Sequence, residues 1–176
     1  MTRIETARLV LRPPRMSDAE VITALIGNWN VARWLARVPH PYAAADAGEF
    51  LVRLRDRSGT DELTLAIEID ARLAGIAGLN RHNNGLHLGY WLGELYWGRG
   101  IVTEAARAIV GYHYRRSNDD VLHSGYFAGN GASARVLAKL GFEPCGERSI
   151  LNRAHGRELP HVSLRLDRAR FQALHP

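Results

Sequence analysis

Hydrophobic and polar residues repeat with two different periods along this chain, and the changes of period mark its elements. The stretch "ARLVLRP" alternates briefly and stops at a pair of prolines, which predicts a short first strand. "SDAE" has the spacing of a capping box, in which Ser17 and Glu20 exchange hydrogen bonds, and it predicts a helix to about Gly27. Prolines interrupt "VPHPY", and "AAADAGEFLVRLRDR" then predicts a second helix that ends near Ser58-Gly59.

The period then switches to two, as in a half-buried strand. In "LTLAIEID", the residues Leu63, Leu65, Ile67 and Ile69 fall on one face. "RLAGIAGLN" follows after a tight turn at Asp70-Ala71, and "NNG" is a strong hairpin signal before "LHLGYWLG". Strands joined by such short turns predict an antiparallel meander.

Helical spacing returns after the meander, from about residue 100 to residue 116. Here Ile101, Ala105, Ile109 and Tyr112 form one apolar stripe. "VLHSGYF" follows with the pattern of a strand, so this part of the chain predicts a strand–helix–strand crossover.

The last part of the chain predicts a short helix and a pair of strands. In "NGASARVLAKLGF", Asn130 is placed to cap the helix, Gly141 to end it, and Val136, Leu137 and Leu140 to face inward. "EPCGERSIL" and "PHVSLRL" predict strands that pair through the loop "NRAHG". The order is then β α α β β β α β α β β, an α/β fold whose mixed sheet is antiparallel in its first half and carries helices on both faces.

Composition limits the class of protein without naming a function. The chain has 176 residues, of which 46% are hydrophobic and 23% charged, as in an ordinary single globular domain. No apolar run approaches the ~18 residues of a membrane span, and the first residues lack the apolar region of a signal peptide. The single cysteine excludes an internal disulfide, so we expect a cytoplasmic protein with no membrane partner.

The net charge of +5 comes almost entirely from arginine, since Lys139 is the only lysine. The arginines cluster at Arg53, Arg55 and Arg57, at Arg115 and Arg116, and at Arg165, Arg168 and Arg170. Aromatic residues do not interleave with them as on a nucleic-acid platform, so we expect a solvated basic surface and no nucleic-acid partner. An anionic ligand or a nucleic acid remains the alternative. The eight histidines show no ligand spacing such as H-E-x-x-H, so no metal is expected.

Gly98 and Gly100 lie in "YWGRGIVTEA", where a predicted strand passes into a helix. A helix N-terminus leaves about four amides unpaired and carries about half a positive charge, and glycine lets the backbone approach an anion closely. The pattern indicates a phosphate site, with a structural turn as the alternative. It matches neither a P-loop nor the dinucleotide fingerprint, which needs a glycine where Thr103 stands.

Together, "LGYWLGELYWGRGIVTEA" and "NGASARVLAKLGF" resemble the GNAT N-acetyltransferase superfamily, in the branch of ribosomal-protein N-terminal acetyltransferases. The resemblance extends from "TARLVLRPPRMSDAE" to "VSLRL" and implies one N-acetyltransferase domain over residues 1–176. It also implies a central, mostly antiparallel mixed sheet of about seven strands with about four helices. The family signature Q/R-x-x-G-x-G/A falls on residues 97–102, with Trp97 first and Val102 where glycine or alanine is usual.

The resemblance implies that acetyl-CoA is the co-substrate. Amides from about Gly98 to Thr103 would hold the pyrophosphate, and strand backbone near Trp91 and Leu92 would pair with the pantetheine arm, which Asn130 would also touch. The residues assigned to the cofactor on this basis are Trp91, Leu92, Trp97, Gly98, Arg99, Gly100, Ile101, Val102, Thr103, Asn130 and Ser133.

Acetyl transfer requires a neutral amine, a stabilised oxyanion and a protonated leaving thiolate. The resemblance places Ser133 near the CoA sulfur, where it would protonate or hydrogen-bond the thiolate; an ordinary hydroxyl in the first helical turn is the alternative. Glu94, at the cleft mouth, is the candidate base, against an exposed loop carboxylate. Tyr126 is a candidate acid, against a core residue. A backbone amide near Leu92 would bind the oxyanion.

Three further residues are weaker candidates. Glu104 suits the helix dipole whatever its function. His87 would titrate near neutrality. Cys145 could carry an acetyl group, but a lone cysteine in this position is more often small and buried.

The acceptor is expected to be a primary amine, on a protein or peptide N-terminus or a small molecule, acetylated directly in a ternary complex. We expect Glu94, Glu104, Asp46 and Glu49 to line the cleft mouth and to attract a protonated amine despite the net charge of +5. This favours a small or peptidic amine over a polyamine or aminoglycoside. A non-catalytic acyl-CoA-binding module is the alternative function, and a homodimer is left open.

Overall fold

A computed structural model describes residues 2–56 and 62–176, in which one mixed sheet forms the centre of the fold. Its strands are β1 (Ile4–Glu5), β2 (Val10–Arg12), β3 (Leu63–Ile69), β4 (Arg72–His82), β5 (Gly85–Leu92), β6 (Val121–Phe127), β7 (Glu143–Asn152) and β8 (Arg157–Asp167). The helices are α1 (Ala19–Ile26), α2 (Trp29–Ala32), α3 (Ala44–Asp56), α4 (Ile101–Tyr114), α5 (Gly131–Leu140) and α6 (Arg168–Leu174). The predicted α/β class is confirmed.

The prediction lacked three short elements, β1, α2 and α6. β1 has 2 residues and α2 has 4, so neither is long enough for a period to appear in the sequence. The predicted end of α3 near Ser58-Gly59 lies outside the described residues, as does Arg57 of the first arginine cluster. None of the helices within the described ranges is long and apolar enough to cross a membrane.

Across the sheet the strands follow the order β1-β2-β3-β4-β5-β6-β8-β7. In the described part of the chain, neighbouring strands are antiparallel except β5 and β6, which are parallel and joined by α4 as predicted. The predicted meander of β3, β4 and β5 is also confirmed. Asp70 and Ala71 turn with φ of 51° and 59°, and His82 pairs with Gly85 across the second turn.

Each face of the sheet carries a hydrophobic layer. One layer packs α4 and α5 on the sheet through Ile101, Ala105, Ile109, Leu137 and Leu140. The other packs α1 and α3 through Ile22, Ile26, Ala47 and Leu51. Helices on both faces were therefore predicted correctly.

The predicted stripe of α4 is wrong at its last position. Tyr112 is only half-buried, whereas Tyr114 is 4% exposed and belongs to the core. Tyr114 continues the row of Ala106 and Val110, which are both 0% exposed, so the buried face of α4 is wider than the predicted stripe. The Tyr114 hydroxyl donates to the Leu166 carbonyl on β8 at 2.9 Å.

The predicted capping exchange between Ser17 and Glu20 is also wrong. A 3-10 turn over Met16–Asp18 precedes α1, and Asp18 is the residue at the N-cap of the helix. Its carboxylate accepts from the Arg15 amide at 2.7 Å instead of capping α1.

The carboxylate of Asp18 also meets a buried cation. Arg12 Nη1 and Nη2 each donate to it at 2.8 Å, and Arg12 Nε donates to Glu68 at 2.6 Å. Burial acts to raise the pKa of Asp18, but the hydrogen bonds from Arg12 and Arg15 outweigh it, so the pKa is lowered. This network joins β2 and β3 to the start of α1.

In the third arginine cluster, Arg168 and Arg170 support the fold, whereas the side chain of Arg165 is 50% exposed and pairs with Asp167. Arg168 donates to the carbonyls of Tyr114, Ser117 and Asp119, at the end of α4 and just after it. It thereby pairs backbone acceptors that have no partner within the helix. Arg170 donates to the carbonyl of Gly141 at 2.8 Å.

Candidate active site

β5 and β6 separate just beyond their parallel pairing, and this separation creates the central cavity. His87 pairs with His123, and the buried Ser124 hydroxyl donates to the Leu88 carbonyl at 2.9 Å. No further ladder pair joins the two strands within the described ranges. The edge of β5 beyond Leu88 therefore faces a gap, where a ligand can pair with backbone groups that a neighbouring strand would otherwise take.

The gap widens into a cavity of about 540 Å³. This lies within the range of about 300–1,000 Å³ that is usual for small-molecule sites. The cavity is walled by the ends of β5 and β6, the N-terminus of α4, the first turns of α5, and the chain from Val31 to Ala36. Elements from both faces of the sheet thus meet at one opening.

The glycine turn has the geometry that glycine alone adopts easily. Gly98 and Gly100 have φ of 73° and 72°, and Gly100 is the N-cap of α4. Its carbonyl accepts from the Glu104 amide at 3.1 Å, which begins the helix. Gly98 and residues 100–103 all line the cavity. The helix N-terminus therefore brings its unpaired amides and its partial positive charge to the ligand site.

Glu104 holds this turn in place from outside the cavity. It accepts from the Thr6 hydroxyl at 2.6 Å and from Arg8 Nε at 2.8 Å, and Arg8 Nη1 donates to the Arg99 carbonyl at 3.1 Å. Burial acts to raise the pKa of Glu104, but the bonds from Thr6 and Arg8 outweigh it and lower the pKa. The ionised carboxylate has a structural partner, and the side chains of Arg99 and Glu104 are not in the cavity wall.

Trp97 connects the same turn to the end of β5. Its indole Nε1 donates to the Leu92 carbonyl at 2.9 Å, while its ring lines the cavity and is 43% exposed. The Trp91 carbonyl faces β4, where a Cβ on Gly75 would lie 2.1 Å from it, so by alternation the backbone of Tyr90 and Leu92 faces the gap. Because Trp97 occupies the Leu92 carbonyl, the pairing with pantetheine near Trp91 and Leu92 stays a prediction.

Ser133 lies in the first turn of α5 and lines the cavity. Its amide donates to Asn130 Oδ1 at 3.1 Å, so Asn130 caps the helix as predicted. Its hydroxyl lies 2.9 Å from the hydroxyl of Tyr90. Tyr90 directly precedes Trp91 on β5 but was not among the site residues predicted from the sequence. Burial raises the pKa of Tyr90 to about 12, against the hydrogen bond from Ser133. The protonated phenol can donate to Ser133 and leave the serine proton free for another acceptor.

Glu94 does not lie in the cavity wall. Its exposed carboxylate accepts from Asn28 Nδ2 at 2.5 Å and from Asn30 Nδ2 at 2.9 Å. Because Asn28 caps α2, these bonds fasten α2 to the 3-10 turn Glu94–Tyr96. The role of Glu94 as a base remains a prediction.

The expectation that four carboxylates ring the cleft mouth is wrong. Asp46 accepts from the Ala43 amide at 2.8 Å at the start of α3, and Glu49 pairs with Arg53 at 3.4 Å. Neither of them lines the cavity, and Glu94 and Glu104 do not either. Each has a local partner instead, and the charged side chains in the wall of the described cavity are those of Arg135 and Lys139, with His161 as a further titratable group.

Of the candidates Tyr126 and His87, only Tyr126 lies in the cavity wall. Tyr126 lines the cavity and is half-buried, and its role as an acid remains a prediction. His87 is outside the wall, between the rings of His82 and His123, at centroid distances of 4.3 and 5.2 Å. Burial, with a smaller effect from these two neighbours, lowers the pKa of His87 to about 4.

Among the described residues, no group of three His, Cys, Asp or Glu side chains is placed to hold a metal ion.

Cys145 is exposed, contrary to the expectation of a small buried residue. β7 is the outer strand of the sheet, and its residues from Glu143 to Ser149 are exposed on both faces, so no core lies beside Cys145. It is not part of the cavity wall.

Trp34 and His161 also shape the cavity and were not predicted from the sequence. Trp34 follows α2 and extends toward the loop after β6, where a Cβ on Gly129 would lie 3.7 Å from its ring. The ring of His161, on β8, covers Gly125 so closely that a Cβ there would lie 2.1 Å from Cε1. A glycine inside the predicted strand "VLHSGYF" was the available sign that another group approaches that backbone.

Comparison with known proteins identifies the family of this site. The acetyltransferase (GNAT) domain matches residues 8–143. The chain therefore belongs to the GNAT acetyltransferase family, as its motifs predicted. The N-acetyltransferase p20 of Bacillus licheniformis, itself uncharacterized, is 23% identical over 163 residues, which are 89% of this chain and 91% of that protein. The protein is thus an N-acetyltransferase.

Solved structures share the fold. RimL, a ribosomal L7/L12 alpha-N-protein acetyltransferase in complex with coenzyme A, has a TM-score of 0.79 at 19% identity, covering 94% of this chain and 98% of that one. The microcin C7 self-immunity acetyltransferase MccE, in complex with acetyl-CoA and AMP, has a TM-score of 0.77 at 22% identity, covering 92% and 93%. Complexes of this kind within the family support acetyl-CoA as the co-substrate.

Proposed function

We propose that this N-acetyltransferase moves an acetyl group from acetyl-CoA to the primary amine of a protein or peptide N-terminus, directly and within a ternary complex. The observation that carries the proposal is one cavity that contains an anion-binding helix terminus, an open strand edge and the Ser133 hydroxyl. RimL, named as an alpha-N-protein acetyltransferase and bound to coenzyme A, supports the same donor and the same class of acceptor. We also propose a cytoplasmic location, in keeping with the single exposed cysteine.

The donor would lie along the strand edge. The amides that follow Gly98 and Gly100 would bind the pyrophosphate, because a helix N-terminus supplies both donors and positive charge. The pantetheine would extend along Trp91 and Leu92, with a backbone amide of this open edge placed to bind the oxyanion. The sulfur would then lie near Ser133, whose hydroxyl would protonate the leaving thiolate.

The acceptor would enter from the side of α2. Val31, Trp34 and Leu35 form an apolar wall there, and Arg33 lies over the Trp34 ring at 4.6 Å and supports it. The wall contains no carboxylate among the residues described, so a polycation would lose water without gaining a counter-ion. A peptide N-terminus whose first side chain is apolar fits this wall better.

A thiol-release assay with acetyl-CoA tests the proposal across several amines. The panel contains peptides that begin with alanine, methionine, lysine or aspartate, free amino acids, spermidine and an aminoglycoside, at low and high salt. We expect the peptides with apolar first residues to have the highest kcat/KM, with little effect of salt. Turnover of only spermidine or the aminoglycoside, strongly suppressed by salt, would show that the peptide assignment is wrong. Binding of acetyl-CoA with no turnover of any amine would favour the non-catalytic module.

A further inference from the structure

His161 lies in the cavity wall without a hydrogen-bond partner among the described residues. Its Nδ1 is buried and unpaired. Buried polar atoms in folded proteins are nearly always hydrogen-bonded, so the unpaired Nδ1 of this ring needs an explanation. The adjoining edge of the ring, formed by Cε1 and Nε2, lies over Gly125, where a Cβ would be 2.1 Å from Cε1 and 2.7 Å from Nε2.

Gly125 marks the place where β6 has parted from β5. It lines the cavity, and so do its neighbours Ser124 and Tyr126. Because Gly125 has no side chain, the imidazole can lie against the strand within the cavity wall, with Cε1 and Nε2 nearest the glycine. The Phe127 ring meets the imidazole edge-on at 5.5 Å between centroids and holds its orientation.

We propose that His161 is the catalytic base, with Nε2 receiving the proton of the acceptor amine as the amine attacks the thioester. This rests on the proposed function. The amine nitrogen forms the new N–C bond, its N–H proton passes to Nε2, and the C–S bond breaks. The departing thiolate then takes one proton, either directly from solvent or from Ser133, which regains one from solvent. The imidazolium returns its proton to water, so that both side chains end in their starting state. The products are the N-acetylated amine and CoA.

The surroundings of His161 suit a base that is neutral at pH 7. Burial lowers the pKa of His161, and the positive charge of Arg148 across the β7–β8 pair lowers it further. The other titratable groups close to it are Glu147 on β7, Tyr126 on β6 and His87 on β5. A lowered pKa means that the ring accepts a proton above that pKa and loses this ability as the pH falls through it.

The other side chains of the wall are less suited to this step. Arg135 and Lys139 are cations and have no free lone pair at neutral pH. The Tyr90 phenol has a pKa raised by burial to about 12, so it does not deprotonate an amine at pH 7. The carboxylates considered from the sequence are outside the wall, and Tyr126 is considered as an acid, so His161 is the one imidazole among the described residues of the wall.

The test compares His161→Gln with His87→Gln, using acetyl-CoA and a peptide that the wild type acetylates. His87 is a matched control because it is another strand histidine with a lowered pKa, but it is outside the cavity wall. We expect His161→Gln to lower kcat/KM about 10²- to 10³-fold, within the usual contribution of general base catalysis. It should also remove the acid limb of the pH profile, which in wild type lies below the ordinary histidine pKa of about 6.5. Added imidazole should restore part of the activity of His161→Ala.

Two further measurements separate a catalytic role from a structural one. CoA should raise the melting temperature of His161→Gln as much as that of wild type, and loss of this effect would overturn the proposal. NMR of the free wild-type protein should show a neutral His161 at pH 7 with its proton on Nδ1. A ring protonated at pH 7, or an unchanged acid limb in His161→Gln, would also overturn it. The NMR experiment needs no acceptor, so a wild type that turns over no amine contradicts only the proposed function.

Discussion

The hydroxyl of Ser133 lies 2.9 Å from the hydroxyl of Tyr90, and this contact joins the first turn of α5 to β5 across the cavity. The Tyr90 hydroxyl also reaches the Ser133 carbonyl at 3.3 Å and so holds the serine in place; when the phenol donates to the serine hydroxyl, the serine proton is available. We expect Ser133→Ala to lower kcat about a hundredfold, the lower end of general acid catalysis, because a contact with the leaving group matters most in the transition state. Steady-state kinetics measures kcat, and calorimetry measures the affinity for CoA.

The control for this change is Tyr90→Phe, which keeps the ring and removes its hydroxyl. It should lower kcat less than Ser133→Ala, since the serine remains but is less well oriented. Equal CoA affinity in all three proteins is part of the expectation. If Ser133→Ala weakened CoA binding and left kcat unchanged, Ser133 would be a binding residue only.

Gly100→Asp should abolish the stabilisation of the protein by CoA. In wild type, CoA at a hundredfold excess over its Kd should raise the melting temperature by about 5–10 °C. The aspartate would place a negative charge where the pyrophosphate binds. Gly156→Asp is the matched control, because Gly156 has a similar φ of 64° but lies in the β7–β8 loop. That variant should have a lower melting temperature and an undiminished CoA effect; a full effect in Gly100→Asp would remove the pyrophosphate assignment.

Trp34→Ala should change the preference for the acceptor and leave the donor site intact. Because the Trp34 ring forms part of the apolar wall, its removal should raise KM about tenfold for peptides with an apolar first residue, a loss of about 1.4 kcal/mol. Trp29→Ala is the control, since Trp29 is 38% exposed and contacts the rings of His40 and His155, outside the wall. A Trp34→Ala enzyme with unchanged KM values for the whole panel would place the acceptor elsewhere.

Glu94→Gln distinguishes the two candidate bases. Its carboxylate binds Asn28 and Asn30, so the amide should weaken the attachment of α2 and raise the acceptor KM. We expect the acid limb of the kcat/KM profile to persist, because the proton is taken by His161. A flattened acid limb in Glu94→Gln would restore Glu94 as the base.

Asp18→Asn should destabilise the fold by about 3–5 kcal/mol, because it leaves the buried Arg12 charge without its main partner. The two side chains are 9% and 7% exposed. The lowered pKa of Asp18 means that its stabilising effect is present above its ordinary pKa of about 3.9 and is lost as the pH falls through the lower folded value. Urea denaturation should therefore show a large difference from wild type at pH 7 that shrinks below about pH 4.

The exposed pair of Glu49 and Arg53 provides a control for this measurement. Their side chains are 72% and 60% exposed, so Glu49→Gln should cost less than about 1 kcal/mol at pH 7. Equal losses in the two variants would show that burial does not decide the strength of the Arg12–Asp18 pair.

The sequence by itself determined the elements with a clear period or an obligatory residue. The alternation from Leu63 to Ile69 places the large apolar side chains on one face of a strand, and this fixed which face packs in the layer with α4 and α5. Gly98 and Gly100 have positive φ, a backbone conformation that favours glycine whatever the neighbouring residues are. The sequence alone therefore shows where this conformation is needed. The same locality made the Asn130 cap and the Gly141 helix end predictable.

Only the tertiary structure decided which side chains share the cavity. Glu94 and His161 could not be ranked from the sequence, because distances across the sheet depend on the separation of β5 from β6 and on the register of β8 against β6. That register places His161 opposite Phe127 and over Gly125, from a strand more than thirty residues away along the chain. Glu94 instead accepts hydrogen bonds from Asn28 and Asn30, in the cap and first turn of α2, and α2 is too short to predict. Local rules set the helices, turns and glycines, and contacts between distant strands set the chemistry of the site.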